Sequence, residues 1–243
     1  MKARQDIHNS DVPVLCRACE ARHRGLCGAL TPSQLTELSK YTAIRDIPAG
    51  TPLYADADQV TSYSNILSGV VKLSKVMADG RQQIVGLQFA PDFLGRPFQR
   101  TRNLDAEAAT DITVCSFPKS ALERLMKSAP GLEHQLLGQT LRELDEAREW
   151  MVTLGRKTAA EKVTSFLLLI ARNFNPEQAE PDGPVTFDLP LSRADIADFL
   201  GLTIETVSRQ LTRLRKDGII ELQNNRRVRV ADPARLARRS GTK

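Results

Sequence analysis

The chain has 243 residues, 41% hydrophobic and 26% charged, with a formal net charge of +5. That balance excludes disordered, collagen-like and purely coiled-coil chains, and the length suits one large domain or two modest ones. The charge is unevenly placed: Pro190–Lys243 holds 12 Lys and Arg against 6 Asp and Glu, whereas the preceding 189 residues hold 22 against 23. The longest apolar run, Phe166–Ala171, is six residues, against about 18 for a membrane span, so no membrane segment is expected. The stretch Met1–Asp6 lacks the apolar core of a secretory signal, which points to a reducing cytoplasm.

Three cysteines stand together as Cys16-x2-Cys19-x7-Cys27, and the fourth, Cys115, stands alone. Structural disulfides are not expected in a reducing compartment. A two-residue spacing lets both thiolates turn toward one metal or one cluster iron. A third cysteine eight residues on favours a shared metal centre over an incidental set of small apolar side chains. Spacing alone does not choose the metal: zinc and iron–sulfur both accept four thiolates, and zinc is the commoner outcome. His23, flanked by Arg22 and Arg24, reads as part of a solvated basic stretch rather than as a ligand.

From about Ala43 to Phe117 the chain is punctuated by Gly50, Gly69, Gly80, Gly86 and Gly95. The runs Ile66–Leu73, Ile84–Phe89 and Ile112–Phe117 between them read as strands, with Ala78-Asp79-Gly80 as a hairpin turn. They predict an antiparallel roll in which Cys115 lies near the C-terminal edge of its strand and faces the N-terminal cysteines.

Gly131 to Arg156 reads as one long helix. Leu137, Leu144 and Met151 recur every seven residues, with Thr140, Ala147 and Leu154 as a companion series three residues further on. Flanked by charge, this a/d seam is expected to pair with a second copy of the chain rather than to pack only on its own domain. A second helix is expected over Thr158–Asn173, followed by a turn-rich loop through Asn175-Pro176 and Glu180–Pro184.

In the basic C-terminal segment, Ser192 with Asp195 three residues on starts a helix to Leu200. Gly201 breaks it, and Thr203 caps a second helix, Ile204–Lys216. Apolar residues at Ile196, Ala197, Leu200, Leu202, Val207 and Leu211 suit two helices crossing at a tight turn: a helix-turn-helix whose second helix enters a DNA major groove. Glu205, Ser208 and Arg209 share one face of it. Arg can donate twice to guanine, Glu can accept from cytosine, and Ser can serve either kind of base. Arg213, Arg215 and Lys216, with Arg226, Arg227 and Arg229 on the following hairpin, are expected at phosphates.

The order of roll, long helix and helix-turn-helix, with Leu200-Gly201-Leu202-Thr203-Ile204-Glu205-Thr206-Val207-Ser208-Arg209, resembles the Crp/Fnr superfamily of bacterial transcription regulators over nearly the whole chain. The Glu-x-x-Ser-Arg pattern, the N-terminal cysteine cluster and the distant Cys115 resemble its oxygen-responsive Fnr branch, of the FnrL/FnrN type. The resemblance implies a [4Fe-4S] cluster on Cys16, Cys19, Cys27 and Cys115, a homodimer, double-stranded DNA palindromes with half-sites like TTGAT, and contact with RNA polymerase through a surface near Asp79-Gly80-Arg81. It also implies that oxygen destroys the cluster and inactivates the protein; a zinc-stabilised or constitutive regulator is the alternative. The x7 spacing departs from the x5 of enterobacterial Fnr proteins. In cyclic-nucleotide-binding members a Gly-Glu pair and an Arg-Ser-Ala-like run hold the ligand; here Arg96 follows Gly95, and Asn103-Leu104 follow Arg102, so cyclic-nucleotide binding is not expected. No flavin or nicotinamide fingerprint suggests an enzyme. The expected fold is α+β: a cysteine-rich segment (1–30), an antiparallel β-roll like a cyclic-nucleotide-binding domain (31–130), a dimerisation helix (131–157) and a winged helix-turn-helix domain (158–243, with the motif at 192–216).

Overall fold

The computed structural model describes residues 11–174 and 183–241. The stretch Met1–Asp6, the loop positions Asn175-Pro176 and Glu180–Asp182, and Lys243 lie outside the described residues. The chain divides into two units, Met1–Lys75 with Val85–Leu144, and Val76–Ile84 with Asp145–Lys243.

The first unit opens with short 3-10 turns at Val14–Cys16 and Leu26–Ala29 on either side of α1 (Glu20–His23). α2 (Pro32–Ser39) follows, started by a complete capping box: Gln34 N donates to Thr31 Oγ1, Thr31 N donates to Gln34 Oε1, and proline takes the first helical position. Then come β1 (Ala43–Ile47), β2 (Pro52–Tyr54), β3 (Ser62–Ser68), β4 (Val70–Val76), β5 (Gln82–Phe89), β6 (Phe93–Leu94), β7 (Asp105–Ala108) and β8 (Ile112–Pro118), and after them α3 (Lys119–Met126) and the first turns of α4 (Pro130–Arg156). The strands form two sheets, ordered β1-β8-β3-β6 and β2-β7-β4-β5. Pairing is antiparallel between β1 and β8, β3 and β8, β3 and β6, β2 and β7, and β4 and β7.

One expected strand divides. The run Ile66–Leu73 is cut at Gly69, leaving Ile66 in one sheet and Leu73 in the other. Gly69 has φ +84, and a Cβ there would lie 2.4 Å from Asp111 O. Only glycine permits the left-handed turn and the close backbone approach by which the chain changes sheets. The hairpin expected at Ala78-Asp79-Gly80 is present, closed by Gly80 N donating to Met77 O (2.9 Å) and Met77 N to Arg81 O (2.8 Å).

Two apolar cores result. Ile66, Val71, Ala106, Ala108, Ile112 and Val114 fill the roll. The second core gathers Tyr63, Phe93 and Phe117, with Phe93 5.5 Å and 6.3 Å from the other two ring centres, under Leu26, Leu30, Leu35 and Leu38 of the N-terminal segment and Leu122, Leu125 and Leu132 of the helices. The cysteine-bearing segment is thus part of the core.

The second unit is built on α5 (Ala159–Phe174), whose Val163, Phe166, Leu167 and Ala171 are fully buried at helical spacing. β9 (Val185–Asp188), α6 (Arg193–Leu200), α7 (Ile204–Lys216), β10 (Ile220–Gln223), β11 (Arg227–Val230) and α8 (Pro233–Arg239) follow, the strands forming an antiparallel sheet ordered β10-β11-β9. Asn224 and Asn225, both at positive φ, turn the β10–β11 hairpin, as asparagine tolerates in such tight turns. Trp150 of α4 packs on Phe199 with ring centres 4.5 Å apart, and Gln83 Nε2 donates to Phe199 O at 3.2 Å.

Replacing Gly69 by Ala forces a Cβ into Asp111 O at a left-handed backbone position. We expect a loss of about 1–3 kcal/mol, read as a lower urea midpoint at unchanged slope; an unchanged midpoint would show that the crossing tolerates a side chain.

Candidate metal centre and nucleic-acid interface

Cys16 ends the first 3-10 turn, Cys19 precedes α1, Cys27 lies in the second 3-10 turn, and Cys115 is carried by β8. All four line one cavity with Arg22, Leu35, Leu38, Ile44, Asn65 and Phe117. Cys115 is the fourth of seven residues in β8, opposite both Ile44 and Asn65. It therefore sits mid-strand in the interior of its sheet, not near the strand's C-terminal edge as expected, because β8 pairs on both sides. Among the described residues, no three His, Cys, Asp or Glu side chains close on a single point as one metal ion requires. His23 lies in α1 and does not line the cavity.

The four thiols are free. Burial, then the neighbouring Cys19, pushes Cys16 up to about 11, with Arg22 acting against it. Burial, then Cys115 and Cys19, pushes Cys27 up to about 12, opposed by a hydrogen bond from Asn65. Cys115 rises to about 12 from burial, then from Cys19 and Cys16. These thiols hold their protons at neutral pH, and binding a metal there must release them.

The cysteine segment is tied to the start of α4. Gln135 Nε2 donates to Gly25 O at 3.5 Å, a Cβ on Gly131 would lie 3.7 Å from Ala29 Cβ, and Leu132 shares a core with Leu26 and Leu30. Along α4, Leu137, Leu144 and Met151 of the expected seam are exposed at 57%, 43% and 72%. Further apolar positions accompany the companion series. Leu141 and Val152, also exposed, extend the apolar stripe, whereas Thr140 bonds its hydroxyl to Leu136 O at 2.9 Å. Leu154 is half-buried and Ala147 exposed; Leu154 lies one helical turn from Trp150, on the side that packs inward. The exposed apolar stripe thus runs from Leu137 through Leu141 as well, beside the exposed Thr140.

A second cavity in the roll is lined by Tyr54, Gln88, Gly95, Arg96, Arg102, Asn103 and Glu143, among others. Arg102 stacks over Tyr54 at 4.1 Å and donates to Ser62 O at 2.7 Å. Glu143 of α4, some fifty positions from Gly95, also lines this cavity, a carboxylate that no local motif shows.

In the second unit Ser192 and Asp195 form the expected capping box, Gly201 takes φ +60, and Thr203 Oγ1 accepts from Thr206 N. Val207, Leu211 and Leu214 bury the inner face of α7, leaving Glu205, Ser208 and Arg209 exposed together on the outer face. Arg209 Nη2 is steadied by Thr206 Oγ1 at 3.4 Å. Bonds from its own backbone N–H, then from Thr203, hold the Glu205 carboxyl below the usual range, so it stays an acceptor. Arg213, Arg215, Lys216, Arg226 and Arg227 are exposed, while Arg229 Nη1 pairs with Glu221 Oε1 at 2.6 Å across the hairpin.

An outward polar recognition face, a left-handed glycine turn and a basic hairpin make this a helix-turn-helix regulator of transcription. Residues 161–239 match the Crp-like helix-turn-helix domain and residues 44–129 the cyclic nucleotide-binding domain. The chain is 55% identical to a probable transcriptional activator of Rhizobium leguminosarum bv. viciae over 97% of both chains, and 42% identical to the transcriptional activator FnrL of Cereibacter sphaeroides over 95% of both. The solved structure of FixK2 from Bradyrhizobium japonicum aligns with TM-score 0.74 at 31% identity, covering 83% of this chain and 98% of that one. The chain belongs to the Crp/Fnr family of transcription regulators. No described helix is long and apolar enough to cross a membrane.

A Cβ on Gly25 would meet Ala21 O and Pro91 O, each at 2.9 Å. Gly25→Ala should therefore lift the cysteine segment from the roll, at a cost of about 1–3 kcal/mol, and raise the rate of thiol labelling of metal-free Cys27. Labelling at the wild-type rate would show that the segment adapts without moving.

Proposed function

We propose that the chain is an oxygen-responsive transcription activator, active without oxygen, in which Cys16, Cys19, Cys27 and Cys115 hold a [4Fe-4S] cluster. The observation carrying this reading is that four cysteines from two distant stretches line one cavity. Four thiolates about 2.3 Å from one zinc ion would stand about 3.8 Å apart, whereas cluster thiolates are spread over separate irons. Four thiolates suit either arrangement, and it is the resemblance to the oxygen-responsive Fnr branch that favours the cluster over zinc. When bound, it supplies an oxygen-labile set of iron–thiolate bonds joining the N-terminal segment to β8. The residues then act mechanically. A fixed segment keeps Leu26 and Leu30 against Leu132 and keeps Gln135 on Gly25, which orders the start of α4 and the stripe of Leu137, Leu141, Leu144 and Met151 along it. A freed segment withdraws that support. A coupling of about 3 kcal/mol changes a population about a hundredfold, enough to govern dimerisation through the stripe.

In a two-fold dimer the α7 helices reach half-sites about 34 Å apart on one face of DNA. Glu205, Ser208 and Arg209 read base edges of a palindrome with half-sites like TTGAT, while Arg213, Arg215, Lys216, Arg226 and Arg227 meet phosphates. The exposed turn Asp79-Gly80-Arg81, in which Arg81 holds Asp79 Oδ2 at 2.8 Å and keeps that carboxyl below its usual range, is the proposed contact with RNA polymerase.

Protein reconstituted without oxygen should hold close to four irons with matching sulfide per chain, absorb in the visible, and scatter light as twice its 26.9 kDa mass; air should remove the iron and lower the mass. Zinc in place of iron would overturn the cluster, and an unchanged mass after full iron loss would overturn the dimer switch. Arg209→Ala should lose about 1–3 kcal/mol on the palindrome and relax preference at one base pair. Arg226→Ala should weaken all sequences alike and reduce the salt dependence of binding by about one ion. Equal losses for both on scrambled DNA would refute this division of roles.

A further inference from the structure

Asn65 is, the cysteines apart, the one polar side chain lining the cysteine cavity that is buried, at 1% exposure. It sits in β3, where side chains alternate between faces, in series with Tyr63 and Leu67, a position that an apolar residue would fill at lower cost. Asparagine is disfavoured in strands, and here its Oδ1 is buried without a hydrogen-bond partner. The side chain's one hydrogen bond runs from Nδ2 to Cys27 Sγ at 3.3 Å. In register, Asn65 also stands directly opposite Cys115. One buried amide thus adjoins a cysteine from each of the two stretches that build the cavity.

We propose that Asn65 is a positioning residue for the metal centre. Its Nδ2–H donates to the Cys27 thiolate, fixing that sulfur's direction and offsetting its charge. This inference rests on the cluster reading above. A bond from a neutral N–H to an ionised sulfur is charge-assisted and stronger than a neutral one, so it holds the ligating sulfur of Cys27 in place. Hydrogen bonds to cluster sulfurs also raise reduction potential, because they lower the electron density that the thiolates lend to iron. Neither effect would follow if Asn65 only filled space.

The test uses the full chain reconstituted anaerobically with ferrous iron and sulfide. Asn65→Leu keeps the volume and removes the donor; Asn65→Asp keeps the shape and sets a carboxylate against the sulfurs. Without metal, Asn65→Leu should melt at or above the wild-type temperature, since a buried acceptor without a partner is gone. Once loaded, it should release iron to a chelator in the absence of oxygen about tenfold faster than wild type, within the usual range for lost outer-sphere partners, and show a more negative midpoint potential. Asn65→Asp should release iron faster still. Wild-type release rate and potential in both variants would overturn the role of Asn65 while leaving the cluster in place. A wild-type chain that takes up no iron with sulfide would overturn the cluster itself.

Discussion

The apolar contact beneath the cysteine segment is the constraint on which the rest depends. Cys27 and Cys115 are 88 positions apart in the chain, and nothing local brings them together. They share a cavity because Leu26, Leu30, Leu35 and Leu38 seal the end of the roll over Tyr63, Phe93 and Phe117. Burying side chains of this kind is worth about 1.5–3 kcal/mol each, against a backbone ordering cost of similar size per residue. A short segment held by a few such contacts is only marginally anchored. On the proposed reading, metal–thiolate bonds across it therefore have leverage that the same bonds within a stable sheet would lack.

On that reading α4 passes the leverage onward because it has two unlike faces. Its first turns belong to the core through Leu132, and beyond them Trp150 and Thr153 turn inward in the second unit. Between and around these anchors, Leu137, Leu141, Leu144, Met151 and Val152 face outward. A monomer seldom leaves a continuous apolar stripe in water along a helix of 27 residues. On the same reading, fraying at the N-terminal end disturbs that stripe and leaves the helix-turn-helix core, where Val163, Phe166 and Leu167 pack within their own unit, in place.

What could be read in the sequence follows the range of the forces involved. The helix-turn-helix was legible because its signals are local: a hydroxyl cap three residues before its acceptor partner, a glycine at the left-handed position, and an apolar series on one face. The strand boundary at Gly69 was not, since its reason lies in Asp111, forty-two positions on, and no alternation pattern reports a change of sheet. Seven-residue spacing picks out Leu137, Leu144 and Met151, whereas Leu141 and Val152 widen the exposed stripe, as a free helix of 3.6 residues per turn drifts from that repeat. Cys115 was legible as a residue type but not as the centre of a doubly paired strand. Asn65 gave no signal, because a polar residue in a strand reads as an outward one until its partner sulfur is seen.

The uneven charge, too, divides further in three dimensions. Of the basic side chains that give the C-terminal segment its excess, Arg229 pairs with Glu221, Arg239 with Asp217 and Arg238 with Asp232, while Arg235 donates to Asp217 O and Gly218 O. Exposed pairs of this kind contribute little to stability, but they leave those cations less free to exchange counterions for phosphate. Arg213, Arg215, Lys216, Arg226 and Arg227 form no ion pair among the described residues, and they lie at the end of α7 and the tip of the hairpin. The basic charge outside ion pairs thus concentrates at the end of α7 and the tip of the hairpin. On the proposed reading, that charge supplies the sequence-blind attraction to phosphate, while Glu205, Ser208 and Arg209, whose own charges cancel, read the base edges.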